Sequence, residues 1–336
     1  MKQRSIIKKW QLIKWRSKEE RADLTESEFV AVGKRAFYKK HRLEEVILPP
    51  QASVIKTEAF AGSKRLCKVT LPSDSNVGIS SRAFANCVRL RALENEGLIS
   101  RIGIRAFENC RFLPNLTFGR ELKSIGDFAF FGCTSITELL LPSCLEKMGR
   151  GAFSECSELR TLRMEEGIAS IGREAFRNCI SLEELELSGA IKELPFGAFR
   201  GCSALREVNL PVGITAIGAR AFEDCTRLET VTLEHGVERI GARAFKGADR
   251  LRSVIVPPTL KKLGLGAFGF GRSEEKVTLY VENEYMKKRL QTRLRLCLSA
   301  GRVTVAVTGK TIEERRRERR RATLEQKPTH LFDHEE

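Results

Sequence analysis

Residues 171–187 read IGREAFRNCISLEELEL, and residues 217–233 read IGARAFEDCTRLETVTL, the same pattern two periods of 23 later. The anchor is the dipeptide Ala-Phe. Its Phe falls at Phe37, Phe60, Phe84, Phe107, Phe130, Phe153, Phe176, Phe199, Phe222, Phe245 and Phe268, nine intervals of 23 residues and one of 24. Five residues before each Phe stands an apolar side chain, from Val32 and Ile55 to Ile240 and Leu263, and in eight repeats Gly follows it. Further apolar residues fall six, nine and eleven places after the Phe, as in Leu159, Leu162 and Met164. The unit is I-G-x-x-A-F-x-x-C-x-x-L-x-x-L-x-L-P. A fixed period of this length marks a solenoid, in which each coil buries its apolar face only against its neighbours.

Within the unit, L-x-x-L-x-L turns alternate side chains inward and predicts a strand. Stacked at ~4.8 Å, eleven such strands would form a parallel sheet along a rod of roughly 50 Å. The I-G-x-x-A-F half is expected to turn the corner and return along the convex side. Gly would permit the bend and Phe would fill the space between coils. Pro142, Pro211 and Pro257 are placed to close their strands.

Seven cysteines, Cys87, Cys110, Cys133, Cys156, Cys179, Cys202 and Cys225, hold one repeat position three residues after the Phe. Zinc needs four ligands converging on a point, whereas this spacing lays sulfurs in a line one coil apart. The ladder is therefore read as buried packing by a small hydrophobe, and many unpaired thiols suit a reducing compartment.

These repeats resemble the BspA-like class of leucine-rich repeats, seen in bacterial and protist surface proteins and in intracellular protist proteins. The resemblance covers residues 25 to 281. It implies a leucine-rich repeat solenoid of ~23-residue coils forming a parallel β-sheet, with helical caps at both ends. The expected organisation is a basic amphipathic cap over residues 1–24, eleven repeats over 25–281, a second cap over 282–309, and an Arg-rich helix with an acidic tail over 310–336.

The 59 Lys and Arg against 43 Asp and Glu give a net charge of +16. Residues 1–18 contribute +7 and residues 310–321 contribute +4, so most of the excess is assigned to the ends. In the first segment Ile6, Trp10 and Ile13 have helical spacing. A capping helix and a targeting or membrane-surface segment both fit it. Val277–Val281 reads as the last repeat strand, 283–296 as a covering helix and 302–307 as a further strand. Beyond, Thr311 with Glu314 forms a capping box that opens a helix carrying Arg315, Arg316, Arg317, Arg319, Arg320 and Arg321. That helix is either a solvated projection or a phosphate-gripping or nuclear-import patch.

Other motifs carry no chemistry. Gly264, Gly266 and Gly269 match G-x-G-x-x-G but stand at the corner of the eleventh repeat, not between a strand and a helix. Gly309, Lys310 and Thr311 resemble the end of a phosphate loop, but Thr304 replaces its first Gly. His330 and His334 lack a third metal ligand, and His41 and His235 lie in separate repeats without a matched acid or nucleophile. No catalytic, cofactor or metal site is expected, and neither is a small-molecule substrate. No apolar run is long enough to cross a membrane and no secretory signal is recognised, so an intracellular, mainly cytoplasmic protein is expected, with nucleus or organelle open.

Partner recognition falls to the outward residues of the strands. One row is Asn115, Glu138, Thr161, Glu184, Glu207, Thr230 and Ser253; its neighbour is Thr117, Leu140, Arg163, Glu186, Asn209, Thr232 and Ile255. Arg35, Arg82, Arg105, Arg220 and Arg243, each preceding an Ala-Phe pair, are expected to form basic stripes at the opposite corner. The leading reading is a non-enzymatic scaffold that binds a protein through the sheet face. The rival is a ribonucleoprotein or polyanion-associated subunit held by its basic ends.

Overall fold

The computed structural model describes residues 19–269, 277–296 and 303–308. Most coils contribute to two parallel ladders. The wider ladder uses the expected L-x-L strands in three runs. The first contains Arg21–Asp23, Glu45–Ile47, Lys68–Thr70 and Ala92–Glu94. The second contains Glu138–Leu141, Thr161–Met164 and Glu184–Glu186, and the third Glu207–Asn209, Thr230–Thr232, Ser253–Ile255, Val277–Val281 and Val303–Val307. Register is strict: Leu162 stands opposite Leu139 and Leu185, while Arg163 stands opposite Leu140 and Glu186. Arg21–Asp23 already pairs with Glu45–Ile47, so the ladder starts four residues before the expected boundary.

The second ladder was not expected. In every coil but that of Ile171, the apolar residue five before the Phe belongs to a short strand of its own, in one run from Ala31–Val32 to Lys147–Met148 and another from Glu193–Leu194 to Lys262–Leu263. The I-G half of the unit therefore pairs before it turns.

The role given to its Gly also needs correction. These glycines hold ordinary negative φ, and what they lack is space. A Cβ on Gly126 would lie 2.6 Å from the Ile104 nitrogen and 2.7 Å from the Gly103 carbonyl carbon. The turn is made instead two residues before and two residues after each Phe, where the backbone enters the left-handed region. Arg105 has φ 54° and Asn109 has φ 57°, and the first position is left-handed in all eleven coils, whether it holds Arg, Glu, Phe or Gly. This turns every second amide along the rod. The N–H groups of Arg105, Phe107 and Asn109 donate to the carbonyls of Asp127, Ala129 and Phe131 in the next coil at 2.7–2.9 Å.

The core is a thin column. The eleven Phe rings are buried and stack in sequence, with centroids 4.9–5.7 Å apart and planes within 11°. That separation with near-parallel planes fits offset stacking. Beside it runs the cysteine column, as expected, with all seven thiols buried. Each thiol donates to the Phe carbonyl of the preceding coil, as from Cys110 to Phe84, Cys133 to Phe107 and Cys156 to Phe130 at 3.1–3.3 Å. One coil earlier, buried Ser63 does the same to the Phe37 carbonyl at 2.7 Å. The position selects a small side chain that can donate a hydrogen bond. Burial pushes the thiols up, to about 12 for Cys87, Cys156 and Cys202.

At the far end, helix α1, Glu284–Leu296, connects two adjacent strands of the wider ladder. Asn283 Oδ1 accepts the Met286 N–H at 3.0 Å and caps the helix, which rests Met286 and Leu290 on the core. The segments 1–18 and 309–336, with the amphipathic helix and the arginines 315–321 assigned to them, lie outside the described residues, as do His330 and His334.

Candidate functional site

The wider ladder holds its outward side chains in two rows along the rod. Glu138, Thr161 and Glu184 are consecutive partners in one row, and Leu140, Arg163 and Glu186 in the other. A second block places Glu207 beside Thr230 and Asn209 beside Thr232. The ladder pairing lapses between Glu184–Glu186 and Glu207–Asn209, so the ten residues form two patches on successive coils. Leu140 leaves half its surface in water at 54% exposure. Arg163 lies 3.5 Å from both Glu184 and Glu186, leaving the four carboxylates of this face in excess over its one guanidinium.

Asn115 and Thr117, expected at the head of the same rows, are not in a strand. The reason lies one residue earlier. In regular coils, one carbonyl accepts two N–H groups from the next coil, as Glu44 O does from Cys67 and Lys68 at 2.8 and 3.1 Å. The equivalent residue here is Pro114, which has no N–H to return to the preceding coil. Asn115 then turns toward the next coil, and its Oδ1 accepts the N–H groups of Thr137 and Glu138 at 2.8 and 3.0 Å. Its side chain substitutes for a strand and is spent on the backbone.

Of the five arginines of the expected basic stripe, Arg82 and Arg243 are exposed, while Arg35, Arg105 and Arg220 engage neighbouring side chains. Arg35 pairs with Glu58 in the next coil, and that contact, first through its hydrogen bond, lowers the Glu58 pKa. Arg105 pairs with Glu108 and lies 5.1 Å over Phe128, whose ring also faces Arg150 at 5.7 Å. Arg150 grips Glu174 through two nitrogens at 2.7 and 3.0 Å. Arg220 lies 5.7 Å over Phe196, opposite Arg173 at 4.9 Å, and Arg200 reaches buried Glu223 at 3.0 Å. Successive coils thus tie their left-handed residues together with ion pairs and cation–π contacts.

Chemically, neither face converges on a reacting atom. Among the described residues no three His, Cys, Asp or Glu side chains are grouped to hold a metal ion, and no helix is long and apolar enough to cross a membrane. Gly264 and Gly266 stand at the corner of the last coil and line no phosphate-binding loop. A groove of about 650 Å³ runs beside the second ladder over Gly218, Gly241 and Gly264, walled by Glu193, Arg239 and Lys262.

Stacked coils of this repeat, with an open side-chain ribbon, define a leucine-rich repeat protein. The sequence matches the BspA type leucine rich repeat region across residues 30–159, 77–205 and 169–290, and the chain belongs to that family. Among solved structures it is similar to a leucine-rich repeat protein from Bacteroides ovatus. The two are 24% identical, with a TM-score of 0.59, over 85% of this chain and 83% of that one. It is also similar to the pneumococcal vaccine antigen PcpA, 20% identical with a TM-score of 0.52, over 85% of this chain and 78% of that one. At these identities the likeness is one of fold. No curated protein matches the sequence. Repeat proteins of this class generally mediate protein–protein interaction and are typically non-enzymatic.

Reading down the columns also uncovers a surface that reading along the rows misses. Four, five and seven places after the Phe, the first four coils carry Arg42, Lys64, Arg65, Arg89, Arg91 and Arg111. The repeat count is the signal that finds them, since no two of these coils are adjacent in sequence at those positions.

Proposed function

We propose that the chain is an interaction scaffold whose wider ladder docks a protein with a basic surface. The ten residues Glu138, Leu140, Thr161, Arg163, Glu184, Glu186, Glu207, Asn209, Thr230 and Thr232 make the docking face. The observation that carries the reading is their arrangement: exposed or half-exposed side chains of differing chemistry, held in register within two patches of the wider ladder. A preformed face loses little conformational entropy on binding, and its excess of carboxylates steers a cationic partner toward it. Helix α1 would serve as the C-terminal cap, covering the apolar end of the column with Met286 and Leu290. The nine described cysteines are free thiols, which favours a reducing compartment and an intracellular location.

The test is a triple reversal, Glu184→Lys, Glu186→Lys and Glu207→Lys, with crosslinking mass spectrometry of the tagged protein in its own cell. These side chains are exposed, so the melting temperature should stay within a few degrees of wild type while crosslinks from this face disappear. Crosslinks that persist unchanged in the reversed protein would refute the docking face.

A further inference from the structure

We infer that the corner of the first four coils binds single-stranded nucleic acid, with its arginines on the phosphates and Phe112 under a base. This rests on a different surface from the protein-docking face, and either reading can fail alone. Arg42, Lys64, Arg65, Arg89, Arg91 and Arg111 are all exposed there. Of these, only Arg65 meets a carboxylate among the described residues, that of Glu44. The coils are close enough for the side chains to form one surface. Arg65 reaches Glu44 in the preceding coil, and the Arg91 guanidinium lies 5.4 Å from the ring centre of Phe112 in the following one. Three coil advances of 4.9, 5.0 and 5.2 Å carry the stripe about 15 Å along the rod.

The stripe then stops. In the fifth coil the same three positions are Thr134, Ser135 and Thr137, and beyond it Arg160, Arg206, Arg227, Arg250 and Arg252 are interleaved with Glu158, Glu183, Glu229 and Asp249. The first four coils thus hold the corner's main excess of positive charge, six cations against Glu44.

A line of guanidiniums of which Arg65 alone is ion-paired among the described residues suits phosphate, whose oxygens accept two parallel N–H bonds from each fork. The aromatic group decides among polyanions. Phe112 is half exposed at 51%, although burying it would be favourable, and it sits where the basic line ends. One guanidinium already lies over its ring, and an unpaired base can stack on the exposed part. A sulfated sugar or an acidic peptide makes no comparable use of a flat apolar ring, and a duplex hides its bases.

The experiment uses the full-length chain and a fluorescent oligouridylate of about 20 nucleotides, read by anisotropy from ~50 to ~200 mM salt. About five phosphate contacts predict a loss of affinity of roughly a hundredfold over that range. Arg89→Gln, Arg91→Gln and Arg111→Gln together should weaken binding at least tenfold and flatten the log–log salt slope by about 2, as three cations contribute ~0.7 each on a single strand. Replacing the six arginines from Arg315 to Arg321 with Ser should leave that difference in place. Phe112→Ala should weaken oligouridylate severalfold and leave heparin binding unchanged. An unaltered salt slope in the triple Gln variant overturns the site. So does a Phe112→Ala protein that binds RNA like wild type while heparin or phosphatidylserine vesicles displace the RNA, because the corner would then be a general anion surface.

Discussion

Raising the pH from 8 to 10 should destabilise this protein, and the cysteine column should set how steeply. All seven thiols are buried, and burial raises each pKa, to about 12 for Cys87, Cys156 and Cys202 from an ordinary 9.0. A group whose folded pKa lies above its unfolded one stabilises the fold fully below the unfolded value and loses that contribution as pH rises toward the folded value. The window here runs from about 9 to about 12. Inside it each thiol costs about 1.4 kcal/mol per pH unit, so the column removes roughly 10 kcal/mol per unit, as much as the whole stability of many domains. Serine does not titrate, and Ser63 already makes the column's hydrogen bond to a Phe carbonyl. Changing Cys133, Cys156 and Cys179 to Ser should therefore cut the slope to about 6 kcal/mol per pH unit while the fold persists. Urea unfolding followed by circular dichroism at pH 7.5, 9 and 10 measures both slopes, and other titrating groups cancel in the comparison. Equal slopes for the two proteins would show that the thiols are not held neutral by burial, and the reasoning would fall.

Four other outcomes follow from the coil geometry. Phe153→Ala, which leaves a gap between two stacked rings, should cost about 3–5 kcal/mol in urea unfolding, and Phe268→Ala, with a ring on one side in the described stack, measurably less. Gly126→Ala should destabilise by more than ~3 kcal/mol although Ala prefers regular structure, because its Cβ meets backbone that cannot yield; a neutral effect would mean the coils can separate there. Arg82→Gly, at a left-handed position with φ 54°, should instead stabilise by about 0.5–1 kcal/mol by thermal unfolding. Iodoacetamide at pH 8, analysed by peptide mass mapping, should label the half-buried Cys67 and Cys144 well before any member of the column.

The period of 23 was enough to determine the rod, its stacked Phe and cysteine columns, and which strand residues face outward. In a solenoid each coil touches only its neighbours, so repeat position and spatial column coincide. Tertiary structure alone decided what happens between columns. Gly126 reads in sequence as a flexible corner, yet its constraint is the backbone of the preceding coil, visible only once coils are stacked. The arginines before Ala-Phe read as a free basic stripe, but three of the five, Arg35, Arg105 and Arg220, meet Glu58, Phe128 and Phe196 of other coils. Asn115 reads as a sheet-face residue, yet beside Pro114 its side chain is taken up by the backbone of the next coil. The basic corner ending at Phe112 is assembled from side chains a full coil apart. A periodic sequence specifies the stacking direction because that contact repeats, whereas a cluster that occurs once depends on the cross-section of the coil, which no single repeat encodes.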